Sequence, residues 1–219
     1  ETSTGNTFAA GALDLKVDNE SYYNGVATSS LSWDLDDLSN GHLFFNFHDL
    51  KPDDEGEDTI SLHVQNDAWA CMDLTLTSND DISSNEPELE VDVQDLPLDT
   101  WDGELAQNIN FVWWADDGDN VLEENENILS GGGTLENGVE TLYNLATMTP
   151  FSVALADMDE NVWGEEGPML ANQDRYIAKA WCFGDLTLNP IADNGGENPT
   201  VATGVTCAGT GLNNLTQTD

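Results

Sequence analysis

The sequence predicts an all-β fold, an antiparallel β-sandwich of jelly-roll type with long acidic loops. Short apolar runs with a period of two are separated by turns rich in Asp, Asn, Gly and Pro, which is typical of strands that bury one face. No stretch has the apolar spacing of an amphipathic helix longer than about two turns. About eight or nine such runs in 219 residues fit one β-sandwich domain that spans residues 1–219.

The first predicted strand lies close to the beginning of the sequence. Leu13, Leu15 and Val17 alternate with Asp14 and Lys16, which is the pattern of a strand with one buried face. A strand in this position can join the sheet of its own subunit or the sheet of a neighbouring subunit. The pattern alone is compatible with both arrangements.

The remaining elements are predicted from the same pattern. The runs at 60–64 and 69–77 are joined by a short polar turn, which predicts a β-hairpin. An acidic insertion is expected at residues 78–102, and a tail rich in Gly, Asn and Thr at residues 189–219. The other expected elements are strands at 31–33, 42–47, 105–115, 151–156 and 176–188, and one helical turn at 141–146.

The charge balance excludes several classes of partner. The chain has 43 Asp and Glu residues against four Lys and Arg, a formal net charge of -39. Such a chain repels nucleic acid and anionic membrane surfaces, and it has no run of about 18 apolar residues that would insert into a membrane. Divalent cations are the expected partners of this charge. A solvated acidic shell adapted to salt is the simpler interpretation, and we give it about twice the weight of specific metal binding.

Three cysteines indicate one disulfide and one buried thiol, and hence an oxidising compartment outside the cell. Cys182 ends a strand-like run, and Cys207 lies in the Gly- and Thr-rich tail. We therefore favour a Cys182–Cys207 disulfide, which would attach the tail to the sheet. A Cys71–Cys182 disulfide is the alternative, because the same residues, Asp-Leu-Thr-Leu, lie close after both cysteines.

Two similar acidic loops each follow an apolar strand and are candidate metal sites. Hard cations such as Ca²⁺ bind six to eight oxygen atoms, which loops of this type supply from carboxylates and carbonyls. Neither loop matches the EF-hand pattern, and in so acidic a chain both also fit plain solvated turns. The candidate ligands for Ca²⁺ are Asp116, Asp117, Asp119 and Glu123 in the first loop and Asp157 and Asp159 in the second.

No catalytic residues are predicted, and the chain is not expected to be an enzyme. Its histidines, His42, His48 and His63, do not have the spacing of a zinc motif. Of the seven tryptophans, five lie within strand patterns and are expected in the core. Trp101 and Trp163 lie in acidic loops, where they are candidates for stacking on a carbohydrate.

Two segments carry a resemblance to a known family. Residues 1–17 read Glu-Thr-Ser-Thr-Gly-Asn-Thr-Phe-Ala-Ala-Gly-Ala-Leu-Asp-Leu-Lys-Val, and residues 49–54 read Asp-Leu-Lys-Pro-Asp-Asp before a strand that ends at Val64-Gln65-Asn66. These segments cover about a third of the chain together with their surroundings. They resemble the TasA/camelysin family of exported surface and biofilm-matrix proteins.

The resemblance implies export, a jelly-roll sandwich and polymerisation into extracellular fibres. In the fibre-forming members, the N-terminal segment of one subunit completes a sheet in the next, which here implies residues 1–12 as the donated segment. The interface residues would then be Phe8, Leu13, Leu15 and Val17. The alternative is that this segment pairs within its own subunit.

We therefore expect a structural subunit of an extracellular filament on a cell surface or in a biofilm matrix, with other copies of the same chain as its partners. Salt or divalent cations should promote assembly, because neighbouring subunits repel each other within about a Debye length. The alternative function is a monomeric Ca²⁺-dependent adhesion or carbohydrate-binding module.

Overall fold

The computed structural model describes residues 14–38, 42–47, 49–76, 78–80, 103–129, 138–147, 151–159, 161–193, 195, 203–209 and 211–212. Antiparallel strands make up most of the secondary structure, which confirms the all-β class. The strands are β1 (Leu15–Tyr23), β2 (Val26–Ala27), β3 (Trp33–Asp36), β4 (Glu55–Val64), β5 (Ala70–Leu74), β6 (Ile109–Asp116), β7 (Glu140–Thr141), β8 (Phe151–Ala156), β9 (Asp174–Phe183), β10 (Asp185–Leu188) and β11 (Val205–Ala208). The helices are α1 (Leu105–Asn108) and α2 (Leu142–Thr147).

Seven strands form one large sheet. Its order is β2-β1-β4-β9-β6-β7, and β3 pairs with β1 on the same side as β2. Two smaller sheets, β5-β8 and β10-β11, complete the molecule. Apolar side chains of the long strands β6 and β9 are buried on both faces, because each face has its own covering layer. A jelly-roll arrangement of these strands stays a prediction.

The two faces of the large sheet hold separate clusters of buried side chains. The main core contains Ile60, Ile177 and Trp181 and is covered by residues of β5 and β8, such as Met72 and Val153. The second cluster contains Trp114 and Ala178, and Leu186 and Val205 of β10-β11 pack against it. Packed antiparallel layers of this kind are consistent with the predicted sandwich.

The predicted hairpin between 60–64 and 69–77 is wrong. β4 pairs with β1 on one side and with β9 on the other, so neither of its edges remains for β5. The chain instead crosses to the second layer, where β5 pairs with β8. The pairing of β4 on both edges therefore decides the topology, which a local turn signal does not reveal.

Residues 42–47 were expected to form a strand but have no strand pairing in the structure. Side chains hold this segment in place. The rings of Phe45 and Phe47 lie 5.1 and 4.9 Å from the ring of Trp181, and the Phe44 carbonyl accepts a 2.7 Å hydrogen bond from Lys179 Nζ. The phenylalanine side chains are partly buried, and aromatic packing takes the place of the expected backbone ladder.

Both helices are short. α2 coincides with the helical turn expected at 141–146, whereas α1 replaces the first residues of the strand expected at 105–115. Among the described residues, no helix has the length and apolarity required to span a bilayer.

The Cys182–Cys207 disulfide is present, with a Cα–Cα distance of 5.4 Å. It joins β9 to β11 and closes a loop with a sequence separation of 25 residues. Because the crosslink lowers the entropy of the unfolded chain, it should raise the free energy of unfolding by about 3.5 kcal/mol. Cys71 is the free thiol, but the expectation that it is buried is wrong. Its position on β5 places it on the exposed face of the second layer.

Leu15 and Val17 lie in β1 and pair with Val64 and Leu62 of β4 in the same chain. These two residues therefore pair within their own subunit and are not donated to the sheet of a neighbouring subunit. Val17 is 2% exposed and belongs to the main core, whereas Leu15 is 40% exposed. Phe8 and Leu13, the other two interface residues, lie outside the described residues, as do residues 1–12.

Candidate functional site

The acidic loop after β6 is organised around the Asp116 carboxylate. Its Oδ2 accepts hydrogen bonds from the backbone N–H groups of Gly118 and Asn120, at 2.9 and 3.2 Å. Its Oδ1 accepts one from Trp114 Nε1 at 3.1 Å. Gly118 has a φ of 113°, a conformation that favours glycine and allows the chain to turn back over the carboxylate.

Three carboxylates converge in this loop. Ligand oxygens of Asp116, Asp117 and Asp119 all lie within 4.8 Å of one another. Asp116 and Asp119 are buried, and Asp117 is exposed. This arrangement brings together three of the predicted metal ligands and matches the preference of hard cations for carboxylate oxygen.

The hydrogen bonds limit how Asp116 can bind an ion. Its Oδ2 already accepts two hydrogen bonds, which occupy both lone pairs, and its Oδ1 accepts one. Only one lone pair of Asp116, on Oδ1, therefore remains for a cation. Such a site would need further oxygens from water or the backbone to reach the coordination number of Ca²⁺.

Glu126, which the sequence analysis did not single out, closes the loop. Its Oε1 and Oε2 accept hydrogen bonds from the backbone N–H groups of Asp117 and Glu123, at 3.0 and 2.9 Å. Burial raises the pKa of Glu126 to about 8 and that of Asp116 to about 6. A proton on Glu126 therefore relieves part of the repulsion among these carboxylates at neutral pH.

The other predicted metal ligands are not part of the group of three. Glu123 is buried, at 1% exposure, and its backbone forms a parallel bridge with Ile191. Asp157 and Asp159 are exposed, and the Asp159 N–H donates to Asp157 Oδ1 at 2.9 Å. Within the described ranges, the first loop is the place where three potential ligand side chains meet.

A cavity of about 260 Å³ lies between the two loops and contains Asp117, Glu126 and Trp163 in its wall. Trp163 Nε1 donates to the Tyr176 carbonyl at 2.7 Å, and the guanidinium of Arg175 lies 5.7 Å from the centroid of the Trp163 ring. This guanidinium covers part of the ring that the carbohydrate hypothesis requires as a stacking surface.

The remaining tryptophans divide between core and surface. Trp113, Trp114 and Trp181 are buried, as expected, and Trp33 is partly buried. Trp69 was expected in the core but is 58% exposed, because it lies in the turn before β5. Trp101, the other candidate for carbohydrate contact, lies outside the described residues.

The histidines in the described part of the chain contact an aromatic ring or carboxylates of neighbouring residues. The ring of His42 stacks on Trp33 at a centroid distance of 4.1 Å. His63 lies between two carboxylates, with Nε2 3.3 Å from Asp18 Oδ2 and Nδ1 2.6 Å from Asp174 Oδ1. His48 lies outside the described residues.

A groove of about 780 Å³ runs along one edge of β8. Its walls include Ser152, Val153 and Ala154 on one side and Ile128 and Leu129 on the other. β8 pairs with β5 along its opposite edge. On its other edge, the backbone hydrogen bonds to described residues lie at the C-terminal end of β8, where the Val162 N–H donates to the Leu155 carbonyl at 2.9 Å. A stretch of strand edge therefore faces the groove.

Sequence reasoning missed an ion pair in the main core, between Lys179 and Asp58. A signal for it was present, because Lys179 interrupts the apolar run of Ile177, Ala178, Ala180 and Trp181. A charge at an inward-facing strand position requires a partner of opposite charge.

No family model, no curated protein and no solved structure matches this chain.

Proposed function

We propose that this protein is a structural subunit of an extracellular filament and that it polymerises by strand complementation between copies. The observation that carries the proposal is the groove along the edge of β8 with which no described strand pairs. A strand placed there would pair with the N–H and C=O groups of the edge and at the same time cover the apolar residues among the lining, Ile128, Leu129 and Val153. Repetition of such a head-to-tail contact without ring closure produces a filament.

A comparison of two sheet edges supports this choice of acceptor. The outer edge of β3 carries Asp34 and Asp36, and Asp37 comes directly after it, which is the charged protection typical of edges that avoid pairing. The edge segment of β8 consists of Ser152, Val153 and Ala154, which carry no charge. Of these two edges, the β8 edge is therefore the better template for an incoming strand.

Residues 1–12 are the proposed donor. Leu15 and Val17 are already paired with β4, so a donated strand has to come from the chain that precedes them. In this segment Phe8 is the large apolar side chain, and its burial in a groove would contribute about 1.5–3 kcal/mol before ordering costs.

Charge would regulate assembly. Asp157, Asp159, Glu165 and Glu166 line the groove, and the whole chain has a net charge of -39. Copies that approach within about a Debye length repel each other unless salt or divalent cations screen the charge. The Cys182–Cys207 disulfide is compatible with the oxidising environment in which an extracellular fibre forms.

The test is negative-stain electron microscopy and sedimentation of the full chain at low salt, at high salt and with Ca²⁺ or Mg²⁺. Filaments are expected once the charge is screened. Phe8→Asp should prevent them, whereas Thr7→Asp, with the same change of charge at the neighbouring position, should reduce them less, because adjacent strand residues face opposite sides.

A synthetic peptide of residues 1–12 supplies a second test that leaves the protein unchanged. It should occupy the groove and stop filament growth, and the same peptide with Phe8→Asp should not. A monodisperse monomer under all ionic conditions, or filaments indifferent to the peptide, contradicts the proposal.

A second candidate function, a Ca²⁺-dependent adhesion module, is favoured by the convergence of Asp116, Asp117 and Asp119. Titration calorimetry with Ca²⁺ and Mg²⁺ tests it on the monomeric protein. Binding should prefer Ca²⁺ and disappear in the double variant Asp117→Ala with Asp119→Ala, but persist when Asp157 and Asp159 are changed in the same way. Equal heats for both ions would end this candidate.

A further inference from the structure

Two opposite charges lie side by side in the main core. Lys179 on β9 and Asp58 on β4 are directly opposite each other in the antiparallel register. Each residue is 1% exposed. The Lys179 ammonium nitrogen contacts Asp58 Oδ2.

The surroundings of the Lys179 amine are apolar and aromatic. Its Nζ lies 5.5 Å from the ring centroid of Trp113 and 6.0 Å from that of Phe45. It donates a 2.7 Å hydrogen bond to the Phe44 carbonyl. This hydrogen bond fixes the direction of one N–H and thereby the orientation of the amine towards Asp58.

A third buried polar residue contacts the same carboxyl group. Asn19 on β1 is 3% exposed, and its Nδ2 donates to the Leu31 carbonyl at 2.7 Å and to Asp58 Oδ1 at 3.5 Å. The two oxygens of Asp58 are therefore distinct: Oδ1 faces an amide donor, and Oδ2 faces the amine.

An ionised pair is expensive in this position. Removal of each ion from water is strongly unfavourable even after relaxation, and apolar surroundings favour the neutral forms. Burial lowers the pKa of Lys179, against the opposing influence of the Asp58 carboxylate. Transfer of one proton from the ammonium to the carboxylate produces a neutral amine next to a neutral carboxylic acid.

We propose that the side chains of Lys179 and Asp58 condense to an amide bond. The lone pair of the neutral Lys179 Nζ attacks Cγ of the protonated Asp58 carboxyl group, and a C–N bond forms. The C–Oδ2 bond then breaks, and this oxygen leaves as water with its own proton and one from the nitrogen. Oδ1 remains as the amide carbonyl. The step involves neither oxidation nor reduction and needs no co-reactant.

The neighbouring groups support this chemistry. Asn19 Nδ2 points at Oδ1, the oxygen on which negative charge develops during the attack, and a donor in that position stabilises the tetrahedral state. The fixed strand register holds the amine and the carboxyl together, which removes the entropic cost of their encounter. The product replaces two buried charges with one neutral amide and joins β4 to β9 covalently at the centre of the large sheet. It does not depend on filament formation.

Mass spectrometry of the purified full chain, denatured and with its thiols reduced, tests the proposal directly. The intact mass should be lower than the sequence mass by one water. Fragmentation should yield a branched peptide in which Lys179 is joined to Asp58. A mass equal to the sequence mass overturns the proposal, since the two residues are then an ordinary ion pair.

Other products are distinguishable by fragmentation. Loss of one ammonia with a Lys179–Asn19 linkage would overturn the assignment of Asp58 as the partner. Loss of one water at the Asp117–Gly118 step, with Lys179 unmodified, would indicate a succinimide and also overturn the proposal.

Variants provide matched controls. Lys179→Met should have its full sequence mass, while Lys51→Met, at an exposed lysine, should still lose one water. Asp58→Asn should lose one ammonia instead and reach the same final mass as the parent protein. Each mass is read on denatured chains, so a variant that folds poorly is measured in the same way. A loss of water that persists in Lys179→Met contradicts the proposal.

Discussion

The loops after β6 and β8 have similar sequences but different structures. Each has an Ala-Asp pair at the end of its strand, and a further Asp follows that pair, Asp119 three residues after Asp116 and Asp159 two residues after Asp157. In the first loop, Asp116 and Asp119 are 2% and 4% exposed. In the second, Asp157 and Asp159 are exposed, and Met158 between them is 79% exposed.

The difference arises from the segment that comes after each loop. After the first loop the chain returns to the core: Leu122 is fully buried, and its N–H donates to the Thr203 carbonyl at 2.9 Å. Ile191 then donates to the Leu122 carbonyl at 3.1 Å. These contacts with the C-terminal part of the chain hold the carboxylates away from water.

The second loop closes on itself. Asn161 Oδ1 accepts hydrogen bonds from the N–H groups of Trp163 and Glu165, both at 3.1 Å, so a local turn satisfies the backbone. Asp157 and Asp159 are exposed to solvent as a result. The comparison shows that long-range contacts, and not the acidic pattern itself, decide whether such carboxylates are buried.

The largest expected effect is on stability when the central carboxylate of the first loop is removed. Asp116→Ala leaves three donors without their acceptor, including the indole N–H of Trp114, and should lower the free energy of unfolding by about 2–3 kcal/mol. Asp157→Ala, the matched change in the second loop, should stay within about 0.5 kcal/mol. Urea denaturation measures both values. Equal losses would contradict the structural contrast between the loops.

The second prediction concerns pH. Burial raises the pKa of Glu126 from 4.5 to about 8, so between these values the folded protein holds a proton that the unfolded chain has lost. The contribution of this group is therefore fully present below about pH 4.5 and decreases as the pH rises through about 8. Glu57 and Asp116, with pKa values raised to about 7 and about 6 by burial, act in the same direction.

Denaturation in the presence of a chelator at several pH values measures this dependence. The part of this slope that Glu126 contributes should stay well below the about 1.4 kcal/mol per pH unit of a full proton, because Glu126 is partly exposed. Glu126→Gln should reduce the slope, whereas Glu166→Gln, at an exposed position near the second loop, should leave it unchanged. A slope that Glu126→Gln does not alter would assign the effect to other groups.

The smallest expected effect tests the connection between the loops. Asn127 Nδ2 donates to the Val162 carbonyl at 2.7 Å, so Asn127→Ala should cost about 0.5–1 kcal/mol and increase hydrogen exchange in the second loop. Asn125→Ala removes a hydrogen bond to Asp193 and should leave exchange in the second loop unchanged. If both variants behave alike, the loops are not coupled through Asn127.

Local patterns were sufficient for part of the fold. Alternation predicted the beginning of β1 and the second half of β4, and the position of Cys182 at the end of a strand predicted its disulfide with Cys207. The β4–β5 hairpin was wrong because pairing depends on which edges other strands already occupy. In the same way, convergence of Asp116, Asp117 and Asp119 was predictable from spacing, but their burial depends on Ile191 and Thr203, far along the chain. The opposition of Asp58 and Lys179 requires the register of β4 and β9, which no local pattern contains.

The placement of the four basic residues has a consequence for digestion by trypsin-like proteases, which cleave after Lys or Arg. Lys16 lies in β1, and Arg175 and Lys179 lie in β9, where the paired backbone does not fit an active-site cleft. Lys51, in an exposed turn, is followed by Pro52, and trypsin cleaves such a bond poorly. The folded protein therefore presents hardly any susceptible bond to this whole class of enzymes, although its loops are long.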